Sequence, residues 1–226
     1  KLQNDNDNAV DQKAFLQARL LDMFIMDFDR HEDQWKWGSI DNGKGKTYYP
    51  IPRDRDQPFF MNAGILPYFA SRPWVAPQLQ GFRAKAKNIN TYNFNARNID
   101  RNFLNELTES DWRIASDNFI ALMTDELIEK ALQKQPPEIQ PVCVGSIFDK
   151  LKERRKYFTA EMMEYYKFLS KTVTVIGSDK RELFDVAYPR GKLHLGRRTH
   201  VMGILNVTPD SFYDGKRYST MENAVN

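Results

Sequence analysis

"MDFDRHEDQWKWGSIDNGKGKTYYPIPRDRDQPF", residues 26–59, gives the strongest indication of how the longer part of the chain folds. Two strand-like runs, residues 34–38 and 46–52, are joined by a Gly- and Asn-rich turn, which predicts a β-hairpin. One acidic cluster precedes this hairpin and another follows it. Because a hairpin brings its outer ends together, we expect Asp29 and Asp56 to face the same volume.

Two acidic clusters in one volume suit phosphoryl transfer. One carboxylate orients the attacking hydroxyl and accepts its proton, while another holds the Mg²⁺ that bridges the nucleotide phosphates. The pattern therefore favours a metal-dependent phosphotransferase site between the two ends of the hairpin.

The two acidic motifs resemble those of atypical kinases. "DRHEDQ", residues 29–34, is similar to their catalytic loop, in which Asp-Arg-His is followed by Asn in the lipid kinases. "DRDQPF", residues 54–59, is similar to the Asp-x-Asp-x-x-Phe metal motif of the spore-coat-protein-H kinases. An uncharacterised bacterial envelope-associated family shows a similar pattern. The resemblance extends over about residues 10–188 and implies an incomplete kinase-like C-lobe.

Carried over by position, this resemblance assigns roles to four residues. Asp29 would be the catalytic aspartate and Asp56 the metal aspartate, with Asp54 as the competing choice. Gln34 stands where the kinases usually have Asn, and its amide oxygen can still ligate Mg²⁺. The implied cofactors are Mg²⁺ and ATP.

Other features of this region qualify the kinase interpretation. Arg30 and His31 are expected to hold the shape of the loop. Nothing before Gln12 could supply a Gly-rich loop and a Lys on an upstream strand, so we expect the nucleotide lobe to be missing from this chain. "GKGKT" is not a P-loop, because Ile40 stands where the first Gly is needed. A sugar-nucleotide transferase motif at residues 54–56 and a degenerate, binding-only kinase fold remain alternatives.

The rest of the kinase-like region is predicted to be mainly helical. Residues 12–26 and 110–134 each read as one helix, the second capped by Ser110 or Asp111, and Ser146 is expected to cap a later long helix. Three apolar stripes predict these helices: Leu16, Leu20, Met23 and Phe24; Trp112, Ala115, Phe119, Leu122 and Met123; and Ile147, Leu151, Phe158, Met162, Tyr165 and Leu169.

Two further segments have weaker patterns. Residues 61–98 contain several prolines and asparagines and are predicted to be a long ordered loop with short elements. Residues 171–189 are predicted to form a hairpin that turns at residues 177–180.

"RRTHVMGILNVTPDSFYDG", residues 197–215, has a different character. Residues 199–207 predict one buried strand, and a loop rich in Pro, Asp, Ser and Gly follows it. Ser219 and Glu222 then form a capping box at the start of a helix. The segment is therefore predicted to be a strand–loop–helix unit.

Residues 198–226 resemble the beginning of dihydropteroate synthase, a pterin-binding transferase of folate biosynthesis. The resemblance implies the first βα unit of a truncated (β/α)₈ TIM barrel, with pterin pyrophosphate and p-aminobenzoate as substrates. Asn206 would lie at the Mg²⁺ and pyrophosphate site, at the C-terminal end of its strand. The mobile substrate loop would consist of Thr208, Pro209, Asp210, Ser211 and Phe212.

Composition excludes several classes of function. The net charge of +3 is spread over interleaved acidic and basic residues, so no nucleic-acid partner is expected. The single cysteine excludes an internal disulfide. No apolar run reaches the length of a transmembrane segment.

Together these patterns predict an α+β mosaic. Residues 1–190 would be the kinase-like region, mainly helical with short β-hairpins, and residues 197–226 would be the synthase fragment. The most specific signal is that of the synthase, which is expected to be inactive in this truncated form. A Mg²⁺-dependent ATP phosphotransferase and a non-catalytic interaction domain are the alternatives. The synthase-like part implies a cytoplasmic location, and the kinase-like part an envelope or periplasmic one.

Overall fold

The computed structural model describes residues 8–43, 45–72, 74–173, 183–188 and 191–196. The chain divides into two compact units, Lys1–Gly177 and Ser178–Asn226. Each unit is described by itself.

The first unit begins with a small sheet and one helix. Strand β1 is Asn8–Val10, helix α1 is Gln12–Phe24, and strands β2 and β3 are Trp35–Asp41 and Lys46–Pro52. β2 and β3 are antiparallel with Trp35 opposite Pro52, and β1 runs parallel to β3 on its other side. The predicted hairpin is confirmed.

The remaining elements of the first unit are helical. They are α2 (Ile65–Ala70), α3 (Ile89–Tyr92), α4 (Arg97–Phe103), α5 (Glu109–Leu122), α6 (Asp125–Leu132) and α7 (Gln140–Leu169), with short 3₁₀ turns at Glu32–Gln34 and Pro77–Leu79. None of the helices in the described ranges is both long and apolar enough to span a bilayer.

The core lies where α1, α5 and α7 meet. Phe24, Phe119 and Phe158 form a ring cluster with centroids 5.4–5.5 Å apart. A second cluster places Phe15 against Trp35 and Phe103, which joins α1 to the hairpin and to α4. Each large apolar side chain that is buried in this way contributes about 1.5–3 kcal/mol to stability. The predicted stripes of α1 and α7 are buried and therefore confirmed.

Three local predictions are wrong. Residues 110–134 form two helices rather than one, because the Thr124 side chain accepts from Leu127 N and starts α6. Thr108, not Ser110 or Asp111, caps α5, and Asp111 completes a capping box with it. Leu122 lies at the end of α5 and is 67% exposed rather than in the core.

The start of α7 also differs from the prediction. The helix begins at Gln140 rather than after Ser146, which is an exposed interior residue. Pro141 lies in the first turn, where its missing N–H is not needed for helical hydrogen bonding. A proline at this place favours a helix start.

The second unit contributes a described hairpin of strands β4 (Phe184–Tyr188) and β5 (Gly191–Leu195), with Phe184 opposite Leu195. The turn predicted at residues 177–180 lies outside the described residues. The same holds for the strand, loop and helix predicted over residues 197–226.

Candidate functional site

A buried carboxylate organises the region where the two acidic loops meet. Asp22 lies in the last turn of α1 and is fully buried. Its Oδ2 accepts from Arg19 Nη1 and from Arg30 Nε, each at 3.1 Å, and its Oδ1 accepts from Arg55 Nε at 2.7 Å. One carboxylate therefore holds a residue from α1, one from the first acidic loop and one from the second.

Arg30 connects the two acidic loops directly. Its Nη1 donates to the backbone carbonyl of Arg53 at 2.6 Å and to that of Asp54 at 3.2 Å. Its guanidinium also lies 4.8 Å from the centre of the Trp35 ring. The expectation that Arg30 holds the loop's shape is confirmed, since it ties residues 27–34 to residues 53–56.

Arg19 extends this network into the helical core. It makes a two-pronged pair with Asp100, Nε to Oδ1 at 2.8 Å and Nη2 to Oδ2 at 3.1 Å, and it also donates to Asn93 at 2.8 Å. Tyr165 donates its hydroxyl to Asp100 Oδ2 at 2.7 Å. The candidate site is thus fixed to α4 and α7 through hydrogen-bonded, fully buried charges.

Asp27 is a buried carboxylate with incomplete hydrogen bonding. It is buried, its Oδ1 accepts from Asp29 N at 3.2 Å, and its Oδ2 has no hydrogen-bond partner. Burial raises the pKa of Asp27 to about 6, although Arg30, 3.9 Å from Oδ2, acts in the opposite direction. A buried carboxylate that lacks a hydrogen bond on one oxygen is an energetic cost to the fold.

Asp29, the predicted catalytic residue, is accessible. Its side chain is 34% exposed, and its Oδ1 accepts from Asn95 Nδ2 at 3.0 Å and lies 4.0 Å from His31 Nε2. These neighbours hold one carboxylate oxygen in place. A carboxylate that is both oriented and accessible has the properties that a general base requires.

The predicted metal ligands do not share one environment. Asp54 and Asp56 are exposed, and Asp54 has a left-handed backbone with φ of 49°. Gln34 is only 8% exposed, and its Nε2 lies 3.4 Å from His31 Nε2. Asp54 and Asp56 therefore fit a cation that approaches from solvent, whereas Gln34 is enclosed by its own loop and fits that role poorly.

A ready-made metal cluster is not present in the described residues. Within the ranges given above, no three His, Cys, Asp or Glu side chains are grouped so that they could hold an ion. Mg²⁺ commonly binds through one or two carboxylates and completes its shell with substrate phosphates and water. Any Mg²⁺ at these loops would accordingly depend on phosphate ligands.

The site residues predicted from the synthase resemblance lie outside the described residues. They are Asn206, Thr208, Pro209, Asp210, Ser211 and Phe212. Their roles stay predictions.

Sequence reasoning missed the buried network of the site in the first unit, including Asp22 and Asp27, and it also missed Asn95. Asp22 gave a signal, because a charged residue between Leu20 and Met23 interrupts an otherwise apolar helix face. Asp27 gave a weaker signal as a second acid beside Asp29. Asn95 gave none, since it is one of several asparagines in residues 88–98.

Comparison with known proteins finds a short similarity to a folate-pathway enzyme. A segment of 53 residues is 53% identical to a probable bifunctional folylpolyglutamate synthase/dihydropteroate synthase of Halobacterium salinarum. A short part of the chain is related to a folate-pathway enzyme. The match covers 22% of this chain and 6% of the relative's length.

No established protein-family profile matches the chain, and no solved structure matches it.

Proposed function

We propose that residues 198–226 supply the first strand and substrate loop of a dihydropteroate synthase-type site. The observation that supports this proposal is the 53% identity over 53 residues to the bifunctional folate enzyme. The activity would be attack of the p-aminobenzoate amine on the pterin methylene carbon, with loss of pyrophosphate. The chain spans only a small part of that relative's length. The complete synthase activity is therefore proposed for this chain and is not shown by the similarity.

Residue roles in this proposal follow from donor chemistry. The Asn206 side-chain oxygen is a neutral ligand that suits Mg²⁺ beside the leaving pyrophosphate. Charge that develops on that leaving group is stabilised by a fixed cation. Thr208–Phe212 would close over the aminobenzoate, with the Phe212 ring as an apolar wall.

A graft tests the proposal without relying on the remainder of the chain. Residues 198–226 would replace the corresponding segment of the Halobacterium salinarum enzyme, and product formation would be measured. We expect the graft to retain synthase activity and an Asn206→Ala graft to lose at least about tenfold. A Met221→Leu graft is the matched control and should be unaffected. An inactive but folded graft would show that the segment does not serve this site.

A second candidate function applies to the first unit. We infer that the two acidic loops form a Mg²⁺-nucleotide site of the phosphotransferase type. The supporting observation is that Arg30 joins the loop of Asp29 to the loop of Asp54 and Asp56 through two backbone carbonyls. Asp29 would take the proton of the acceptor hydroxyl, and Asp56 would share Mg²⁺ with the phosphates.

Calorimetry with Mg²⁺-ATP tests this second candidate. Asp56→Ala should abolish binding if Asp56 shares the metal, while Asp29→Asn should leave binding intact and remove any phosphoryl transfer. Asp149→Ala, which removes an exposed acid on α7, is the control. Absence of Mg²⁺-ATP binding, with the fold intact in all variants, would favour the non-catalytic interaction domain instead.

A further inference from the structure

Residues 61–72 and 74–81 form an excursion from the first unit, and the two ends of this excursion are hydrogen-bonded together. Asn62 Nδ2 donates to the Leu79 carbonyl at 2.5 Å, and Phe82 N donates to the Phe60 carbonyl at 2.7 Å. Gly81 has φ of 76°, and its backbone packs directly on Asn62. The two ends of the excursion are therefore fixed side by side.

The excursion exposes an unusual amount of apolar surface. In α2, Ile65 and Leu66 are 76% and 82% exposed, and no residue of this helix is buried. Trp74, after the helix, is 79% exposed. Large apolar side chains that are grouped at the surface mark an interaction site more often than scattered ones do. The other exposed members of this patch are Met61, Tyr68, Phe69 and Val75.

The charge of the surrounding sequence has a single sign. No Asp or Glu occurs between Asp56 and Asp100. The basic residues of that interval are Arg72, Arg83, Lys85, Lys87 and Arg97. The side chains that this interval itself contributes to the surface therefore carry only positive charge, and their charge complement is an anionic partner.

A cavity beside the apolar patch has the lining that an anion needs. Its volume is about 220 Å³, and the residues that line it include the basic Arg72 and Lys87 and the polar Tyr68, Ser71 and Thr91. Arg72 is oriented by the Tyr68 ring, 4.3 Å below its guanidinium, and donates to the Tyr68 hydroxyl at 2.5 Å. The space exceeds that of several water molecules and accommodates a phosphate group.

We propose that residues 61–91 form a docking surface for an anionic phospholipid membrane. Ile65, Leu66, Phe69 and Trp74 enter the boundary between headgroups and acyl chains, and a lipid phosphate binds in the cavity of Arg72 and Lys87. Aromatic and aliphatic anchors combined with Lys and Arg are the composition that a bilayer interface stabilises. None of these residues belongs to either site proposed above.

Vesicle co-sedimentation of the full chain tests this surface. The vesicles are phosphatidylcholine alone, or phosphatidylcholine mixed with phosphatidylglycerol in equal amounts. We expect binding to the mixed vesicles, little binding to the neutral ones, and weaker binding as salt is raised. Soluble glycerol phosphate provides the comparison with a free headgroup. Binding of glycerol phosphate without binding of vesicles would overturn the membrane proposal.

Matched substitutions separate the two contributions. Lys87→Gln should weaken binding to the mixed vesicles about fivefold, the effect of one cation near an anionic membrane. Leu66→Ser should weaken it about tenfold, since one large apolar anchor is lost. The controls are Lys134→Gln and Val142→Ser, which remove an exposed cation and an exposed apolar side chain outside the excursion. Equal effects of the controls and the test variants would contradict the proposal.

Tryptophan emission gives an independent readout. Trp35 and Trp112 are buried and Trp37 is half-buried, so Trp74 is the tryptophan that vesicles can reach. We expect a blue shift with mixed vesicles that disappears in Trp74→Phe, while co-sedimentation of that variant remains. A shift that persists in Trp74→Phe would overturn the assignment. So would a dimer, detected by light scattering, that Leu66→Ser dissociates, because a second copy would then cover this surface.

Discussion

The guanidinium of Arg30 donates to the backbone carbonyl of Arg53 at 2.6 Å while its Nε holds Asp22 at 3.1 Å. A single buried side chain thereby joins α1 to both acidic loops. This relationship explains why "DRH" and "DRD" occur on opposite sides of one hairpin, since each supplies part of the same polar network.

Loss of Arg30 should be costly. Arg30→Ala leaves Asp22 buried with one cation fewer and the Arg53 carbonyl without its donor, and we expect a loss of about 3 kcal/mol in the free energy of unfolding. Arg30→Lys keeps the positive charge but lacks the guanidinium that bonds the Asp22 carboxylate and the Arg53 carbonyl at once. Its loss in the free energy of unfolding should therefore be smaller than that of Arg30→Ala but still measurable. Urea denaturation followed by circular dichroism measures both values.

Arg113→Ala is the control for this series. Arg113 pairs with Glu109 on the exposed face of α5. Removal of an exposed pair should change stability by less than about 0.5 kcal/mol. If Arg30→Ala were no more destabilising than Arg113→Ala, the network would not hold the two loops together.

Asp27 should make stability fall as pH rises through the weakly acidic range. Its pKa is about 6 in the folded chain, above the ordinary value of 3.8, because burial disfavours the charged form. Between these values the folded state binds more protons than the unfolded state. The stabilising contribution is therefore complete below about pH 4 and lost above about pH 6.

Asp27→Asn isolates this effect. The amide keeps an oxygen for Asp29 N but does not ionise, so the variant should be more stable than the native chain by on the order of 2 kcal/mol at neutral pH. The difference in the free energy of unfolding between the variant and the native chain should vanish near pH 4. Urea titrations at several pH values measure the difference, and Asp149→Asn on exposed α7 serves as the control. An advantage of equal size at both pH values would contradict the assigned cause.

The cap of α5 gives a local test of where this helix begins. Thr108→Ala should cost about 1 kcal/mol, because the Asp111 N–H loses its acceptor and the capping box is broken. Ser110→Ala should be neutral or slightly stabilising, since Ala favours helix and Ser110 is exposed. Thermal unfolding of the two variants distinguishes the cap in the structure from the one that the sequence suggested. The reverse order of stabilities would contradict the observed helix start.

Periodicity was sufficient for the elements that bury a continuous stripe. The stripes of α1 and α7 repeat over several turns, and the hairpin consists of two strand-like runs joined by turn residues, so the sequence predicted all three. The choice between neighbouring polar residues as the helix cap was not predictable in the same way. Ser110 and Thr108 are both good caps in isolation, and only the entry of the chain into α5 decides between them. The same reason accounts for the break at Thr124.

The candidate site was predictable only in its accessible part. The sequence indicates Asp29, Asp54 and Asp56 because their motifs place acids on both sides of a hairpin, and Arg30 joins the two loops. The buried partners come from distant positions, since Asp100 is 81 residues from Arg19 and Asn95 is 66 residues from Asp29. Pairings of that separation follow from tertiary packing, which a local pattern does not contain.

Gly81 should be the most sensitive glycine of the excursion that carries the proposed membrane surface. Its φ is 76°, and an added Cβ would lie 2.7 Å from Asn62 Cβ. Gly81→Ala therefore combines left-handed strain of about 1–2 kcal/mol with a steric overlap of similar cost. Gly43→Ala provides the control, because Gly43 has φ of 83° with no atom within 4 Å of the added Cβ. Urea denaturation should show a larger loss for Gly81→Ala, and the difference between the variants measures the overlap with Asn62. Equal losses would mean that Asn62 does not close the base of the excursion, and limited proteolysis would then cut Gly81→Ala no faster than the native chain.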